Sequence, residues 1–466
     1  MRYEIGVMRR LEYKDAKSHK FWELDIEGDA YTVRYGKVGT DGQTQTKTCA
    51  SPAKAEAEGT KKLESKIKKG YAEVAVDTAA AAKRAEAEGP RNPALEAGIF
   101  DNPTNDEAWQ VYGDWLQEQH DVRGELISLD LQRAQAKGAT KKQLEARIAE
   151  IEAEHRKAWL GGLAKHLSHE GIDEVASLVW SRGYIVKASV GGTDEDWSGA
   201  SPDTILRALV KSSAATFLAE LSIGTTYDDE DWRGVMDKNV QAITKAGKLE
   251  ALTRLSIADT GGYWDISSTS VGDVTKVLPV VPRLRRLYVR GGEIELSQLH
   301  HDRLESVTLE TGGLPQTTVR AVGKCKLPAA TNLVVYFGSS DYGAGGTISD
   351  LAPLFTGKGV PKLRQLGLCN AEFQDDIARE LAKSPLLAQL TRVDLSLGTM
   401  TDAGAQHILD AAKQFSHLEA LNLSNNFISA EMCAQLTAAL PHTAVDRQEE
   451  PYEYNGRLSY YVSVGE

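Results

Sequence analysis

The pattern LxxLxL, returning from about residue 200 onward, constrains this chain more than any other feature of its sequence. In strict phase it reads Leu218/Leu221/Ile223, Leu252/Leu255/Ile257, Leu284/Leu287/Val289, Leu304/Val307/Leu309, Ala330/Leu333/Val335, Leu363/Leu366/Leu368, Leu390/Val393/Leu395 and Leu418/Leu421/Leu423. Successive starts are separated by 34, 32, 20, 26, 33, 27 and 28 residues. Each unit asks for a short strand with one buried face, followed by a return segment that is often helical, as over Asp402 to Phe415 and Ala430 to Leu440. One unit cannot bury its own leucines, whereas a stack of units can, so a repeat array is expected over residues 200–441.

The last two units, LTRVDLSLGTMTDAGAQHILDAAKQFSH and LEALNLSNNFISAEMCAQLTAAL, are similar to leucine-rich repeats of the ribonuclease-inhibitor type. That resemblance implies an α/β solenoid, a horseshoe with a strand and a helix per turn. The asparagine expected after LxL appears as Asn426, but the corresponding positions elsewhere hold Thr226, Thr260, Gly292, Gly312, Gly338, Ala371 and Gly398. Most turns must then satisfy their backbone groups differently. After the array, Asn455-Gly456 between alternating segments predicts a β-hairpin, read as a C-terminal cap over residues 442–466.

Residues 1–74 alternate like strands. Phe21 to Ile26, a turn at Gly28-Asp29, and Tyr31 to Tyr35 predict a hairpin; a polar strand over Gln43 to Cys49 follows, and Ser51-Pro52 opens a helix ended by Gly70. Tyr35-Gly36-Lys37-Val38-Gly39-Thr40, with the lysines further on, resembles the WGR domain, an α+β module. Members of that family in poly(ADP-ribose) polymerases help recognise DNA breaks, and bacterial stand-alone versions are presumed to bind nucleic acid. Here Tyr35 stands in place of the name-giving tryptophan and Lys37 in place of the arginine, so a stacking ring and a positive charge persist without the planar guanidinium fork. The physical case for nucleic acid, ends or breaks included, is that Tyr35 covers a sugar or base while Lys37, Lys47, Lys61, Lys62, Lys66, Lys68 and Lys69 neutralise phosphates. The alternative is that Tyr35 packs within the small sheet and the lysines solvate a helix.

Between these regions, residues 75–91 are Ala-rich and charged without an apolar stripe, the composition of a linker or exposed helix. Residues 92–165 carry apolar positions at helical intervals, broken at Asn102-Pro103 and at Arg123-Gly124, then a longer helix with Leu144, Ile148, Ile151 and Trp159 on one face. Around Trp109, Tyr112, Asp114-Trp115-Leu116 and Arg123-Gly124-Glu125 this segment resembles a short bacterial repeat-companion domain, which implies a partner for the array. Covering the array's open first end is the expected role, with residues 166–199, including Trp180 and Trp197, adding to that cover. Asp114, Glu118, Arg123 and Glu125 are expected to form an ion pair between helices rather than a catalytic cluster.

Residues that alternate with the buried leucines face the other side of each strand, which in a horseshoe is the concave one. They include Arg254, Arg286, Tyr288, Arg290, Tyr336 and Arg392, two residue types enriched at interface hot spots. A protein partner with an acidic surface is one reading of that set; in-sheet pairing with Glu220, Glu310 or Asp394 is the other. Loops around Trp232, Trp264 and Tyr342 compete as a binding surface.

The net charge is −12, but residues 1–74 carry +3 and the remainder −15, so polyanions are expected to meet only the first module. Four scattered cysteines form no CxxC pair, and there is no HExxH, GxSxG or phosphate loop; Gly343 to Gly346 lacks the Lys-Ser/Thr such a loop needs. The acidic run Asp228 to Asp231 reads as solvated, and no cofactor or metal is expected. The first fifteen residues lack the apolar core of a signal peptide and no stretch of eighteen apolar residues occurs, so a cytoplasmic location away from membranes is expected. Together these features predict a non-enzymatic adaptor that joins nucleic acid to a protein, or alternatively a regulator, inhibitor or target that contacts proteins alone.

Overall fold

The structure, a computed structural model, describes residues 9–15, 18–38, 42–74, 89–228, 233–245, 247–258, 265–454 and 457–465. The chain divides into two compact units, Met1–Glu86 and Ala87–Glu466. Most of the Ala-rich linker, the Asn455-Gly456 turn, Gly39-Thr40, Trp232 and Trp264 lie outside the described residues.

The first unit is a five-stranded antiparallel sheet in the order β4-β3-β2-β1-β5, with β1 Arg9–Lys14, β2 His19–Glu27, β3 Ala30–Lys37, β4 Gln43–Thr48 and β5 Ala72–Val74. Helix α1, Pro52–Lys68, lies against β2 and β3. Ser51 caps it by accepting from the Lys54 N–H, and Gly70 leaves it at φ +86°, a left-handed conformation that glycine adopts without strain. Ala55, Gly59 and Leu63, four residues apart, form its buried stripe against Leu11, Trp22, Leu24, Tyr31 and Val33. The sequence reading missed β1 and β5, which close the hairpin into a sheet: Leu11 pairs with Trp22 on one side and Glu73 on the other.

The opposite face of this sheet holds a buried ionic network. Arg34 donates two hydrogen bonds to Glu23, at 2.6 and 2.8 Å, and Arg10 donates a third at 2.6 Å. Both guanidinium groups lie over the Phe21 ring, 4.4 and 4.7 Å from its centre, which gives their planar faces an apolar partner.

The second unit is built on an eleven-stranded sheet whose strands follow chain order. It begins with an antiparallel hairpin, β6 (Ala176–Ser181) and β7 (Tyr184–Val190). From β7 onward every neighbour is parallel: β8 (Glu220–Ile223), then Arg254–Ile257, Arg286–Arg290, Ser306–Glu310, Asn332–Gly338, Gln365–Ala371, Arg392–Asp394, Ala420–Asn422 and Thr443–Ala444. Register follows the sequence period. Leu221, Leu255, Leu287, Val307, Leu333, Leu366, Val393 and Leu421 stand side by side in one row across eight strands. Every residue of the eight in-phase triplets is at most 4% exposed. Burying each of the larger ones contributes about 1.5–3 kcal/mol, so this row and its neighbours dominate the core.

The turns that lack asparagine have found substitutes. The amide of Asn426 donates to Leu395 and Leu423 carbonyls at 2.9 and 3.0 Å and accepts from the Met400 N–H at 3.0 Å. In other turns the same service comes from side chains 6, 15 and 24 residues further along: Gln374 donates to the Leu368 carbonyl, Asn239 to that of Gly224, and Thr318 to that of Ile294. All three are fully buried.

Helices Pro93–Asp101, Asp106–Glu118, Arg123–Gln135 and Gly138–Leu160 precede the sheet. Ile99, Phe100, Trp109, Tyr112, Leu116 and Ile127 share one cluster with Tyr184 of β7, Phe217 and Ala251, while Leu126, Ile151 and Trp159 join the main core. The second helix break falls at 119–122, not at Arg123-Gly124, because Arg123 begins the next helix. Its guanidinium is buried and pairs with Asp121 just before it, over the Tyr184 ring at 4.9 Å. The expected pairing among Asp114, Glu118, Arg123 and Glu125 therefore does not form: Asp114 accepts from Gln110 and Glu125 from Arg147.

A second departure concerns the tail. The hairpin exists, Tyr452–Tyr454 against Arg457–Ser459, but as a separate two-stranded sheet, and the last strand on the main sheet is Thr443–Ala444. Residues 462–465 then run back over the chain that follows earlier strands. Ser463 N–H donates to Leu397, Val464 meets Asn370, and Gly465 lies against Gly312. Within the segment read as a cap, Thr443–Ala444 pairs with the last repeat strand, Gln448 donates to the Leu423 carbonyl at 2.9 Å and Tyr460 meets the Phe427 ring, while periodicity carries no information about residues 462–465, which cross the stack.

Candidate nucleic-acid and protein interfaces

On the first unit, the helix-side face of the sheet and the exposed flank of α1 enclose an open cleft of about 640 Å³, lined by Trp22, Val33, Tyr35, Gln45, Glu58, Lys61, Lys62, Ser65 and Lys66. Tyr35 is half-buried at the edge of the core, and its hydroxyl accepts from the Gln45 amide at 3.1 Å. Its ring thus packs in the sheet and still borders the cleft. The structure brings Tyr35, Lys61, Lys62 and Lys66 together there. Lys47 is spent on Glu58, Lys68 is exposed and lines no part of the cleft, and Lys37 stands at the exposed end of β3 beside Lys20 in register.

Trp22, Tyr71 and Lys20, none of them among the residues the sequence singled out for nucleic acid, complete the site. The Lys66 ammonium lies 5.9 Å from the centre of the Trp22 ring and 5.1 Å from that of Tyr71. Burial, then the charges of Lys69, Lys20 and Lys62, push its pKa below the ordinary 10.5. Neither Lys66 nor Lys62 forms an ion pair with a carboxylate among the described residues. Positive charge is therefore gathered against aromatic surface faster than it is neutralised, an arrangement an incoming anion relieves. Lys20 and Trp22 were legible as the alternate positions preceding Leu24 and Ile26 on one face of β2.

On the second unit, the sheet face opposite the leucines carries the arginines. Arg254 and Arg286 are register partners on adjacent strands, so two like charges stand directly side by side. Arg254 reaches Glu220 on its other side at 3.4 Å, whereas the Arg286 side chain has no ion pair or hydrogen bond among the described residues. Tyr288 and Arg290 both donate to Glu310, at 2.7 and 3.2 Å, and so satisfy each other's neighbour rather than stand free. Tyr336 is half-buried, with its hydroxyl pKa pushed up to about 12 by burial and by nearby Cys369, Glu310 and Asp394. Arg392 lies four strands from Arg286 and pairs with Glu419, not Asp394. The six positions thus form one close pair, one structural trio with Glu310, and two separate outliers.

Among the described residues no three His, Cys, Asp or Glu side chains are grouped to hold a metal ion, and no helix is long and apolar enough to cross a membrane.

An antiparallel sheet backed by one helix, with an aromatic and basic cleft between them, is joined to a parallel-stranded α/β unit. Residues 8–78 match the family model of the WGR domain, and the chain carries a WGR domain at its N-terminus. It is similar there to two proteins of Escherichia coli K12: the uncharacterized protein YfeS, 46% identical over 67 residues, which are 14% of this chain and 28% of that protein, and protein YehF, 43% identical over 70 residues, 15% and 26%. The chain thus spans about a quarter of the length of these curated relatives. Among solved structures, a protein of Bacteroides fragilis aligns over 99% of this chain and 100% of its own at 24% identity and a TM-score of 0.46. An internalin of Listeria monocytogenes aligns over 57% and 82% at 14% identity and a TM-score of 0.27.

Proposed function

We propose that this protein is a non-catalytic cytoplasmic adaptor, whose WGR domain contacts nucleic acid and whose second unit is a leucine-rich-repeat solenoid that holds an acidic protein. The observation that carries the first half is the placing of the Lys66 ammonium over the Trp22 and Tyr71 rings and of the Lys62 ammonium over the Tyr31 ring, neither with a carboxylate ion pair among the described residues. Lysines of this kind neutralise backbone phosphates without reading sequence, and the Tyr35 edge of the cleft offers a sugar or terminal base a ring to rest on.

The solenoid reading is supported by the in-register leucine rows and by the buried amides and hydroxyls that serve the turns. In it, the Arg254–Arg286 pair lies on the concave face, where two adjacent cations suit a carboxylate-rich surface. The helical segment 92–165 covers the first end of the array through Trp109, Tyr112 and Ile127.

Binding of the full chain to nicked, blunt-ended and intact duplexes across a salt series tests the nucleic-acid half. Salt-sensitive binding that weakens in Lys62→Ala, Lys66→Ala and Tyr35→Ala supports it. Absence of binding at low salt overturns it and leaves the protein-only reading, in which the WGR domain is a second protein contact.

A further inference from the structure

The segment 462–465 is held by a set of groups that read main chain rather than side chains. Asn370 is fully buried, sits at φ +58°, and spends both ends of its amide on one residue: Nδ2 donates to the Val464 carbonyl at 2.6 Å and Oδ1 accepts the Val464 N–H at 2.9 Å. One repeat further on, the Leu397 carbonyl accepts the Ser463 N–H at 2.9 Å. Two repeats back, Gly312 gives passage: a β-carbon there would lie 2.5 Å from the Gly465 carbonyl oxygen. A β-carbon on Gly465 would in turn meet the Tyr342 ring at 2.7 Å. One side chain is anchored, Val462, which is 2% exposed.

These contacts specify a short main-chain segment, bent at Ser463, with a buried β-branched residue three positions before a glycine, and little else about it. A two-point amide clamp on backbone N–H and C=O accepts any residue at that position, as in recognition of extended peptides generally. Nothing in the contacts requires the segment to be covalently continuous with the groove, apart from the link through the hairpin.

We propose that the track crossing the chain after strands Ser306–Glu310 to Arg392–Asp394 is a peptide-binding site, which residues 462–465 occupy in cis, and which takes a Val-x-x-Gly segment of a partner polypeptide, bent as residues 462–465 are, when these residues are displaced. Asn370 is the clamp, Gly312 the floor, and Val462 marks the side-chain pocket. The cis segment raises the local concentration of its own sequence, so a partner has to compete with it.

The test uses a fluorescein-labelled synthetic peptide of sequence YYVSVGE, residues 460–466, against the full chain and a chain ending at Ser459. Saturable anisotropy change is expected with the shortened chain, at least tenfold weaker binding with the full chain, and loss of binding when Asn370→Ala is added to the shortened chain or when the valine of the VSVG segment's first position is aspartate. A shortened chain that keeps its circular dichroism and elution volume yet ignores the peptide overturns the proposal, as does equal binding by both chains. A full-length Val462→Asp chain gives the same comparison without truncation. If neither variant folds, the segment is an integral part of the core and the groove is not an exchangeable site, which also overturns it.

Discussion

Glu23 and Arg34 face each other across β2 and β3 with both carboxylate oxygens hydrogen-bonded to one guanidinium, beneath the sheet surface and away from helix α1. Burial opposes the charge on Glu23, but the bonds and charges of Arg34 and Arg10 outweigh it and hold the carboxyl below its ordinary 4.5. A lowered folded-state value means stability that is present above pH 4.5 and lost as pH falls through the folded pKa. The WGR domain is therefore expected to lose stability in that acid range. Glu23→Gln, which leaves Arg34 and Arg10 without their anion, is expected to cost about 3–5 kcal/mol and to flatten the acid limb, read from urea midpoints at pH 7 and pH 4.

The turn amides give a second prediction. Asn426→Ala orphans the Leu395 carbonyl and the Met400 N–H, while the Leu423 carbonyl keeps its bond from Gln448, and each unsatisfied buried group costs about 1–3 kcal/mol. Loss of at least about 2 kcal/mol is expected, with hydrogen exchange accelerated first at residues 395–400 and 423–426. A wild-type exchange pattern there would show that water replaces the amide.

At the cleft, each lysine that meets a phosphate contributes about 0.9 to the slope of log affinity against log salt on duplex DNA. Lys62→Ala and Lys66→Ala are each expected to lower that slope by about one unit, and Lys68→Ala to leave it unchanged, since Lys68 lines no part of the cleft. A uniform effect of all three would assign the binding to overall charge instead of the site.

Arg286 offers a test in which stability and binding move in opposite directions. Beside Arg254 it is a like-charge neighbour, and such pairs are unfavourable by a few tenths of a kcal/mol. Arg286→Glu is expected to raise the thermal midpoint slightly by pairing with Arg254, while weakening capture of an acidic partner by tenfold or more in a pull-down titration. A lowered midpoint would mean that Arg286 is held by contacts other than charge.

Much of this molecule was legible because its period is a physical requirement. The triplets from Leu218 to Leu423 each had to reach the core, and all do. The hairpin at Gly28-Asp29 and helix α1 followed from turn and capping residues. What escaped was set by pairings that neither a period nor a turn residue announces. Gln374, Asn239 and Thr318 look like ordinary helix residues until the carbonyls they serve are in place. Trp22 and Tyr71 flank Lys66 only because β2 and the chain after α1 converge on it. Arg123 prefers Asp121 because the loop before its helix delivers that carboxylate at contact distance, closer than any helix neighbour.

The strands of the second unit lie side by side in the order in which a ribosome makes them. Each can therefore be laid on its finished predecessor during synthesis, with Tyr184 and the helices as the first template. Residues 462–465 are the exception, since they touch Leu397, Asn370 and Gly312 and so span repeats made on the order of ten seconds earlier. They lock only onto neighbours already in correct register. Asn370, Leu397 and Gly312 meet this segment together only at their native spacing, so its contacts depend on the register of all the strands between them.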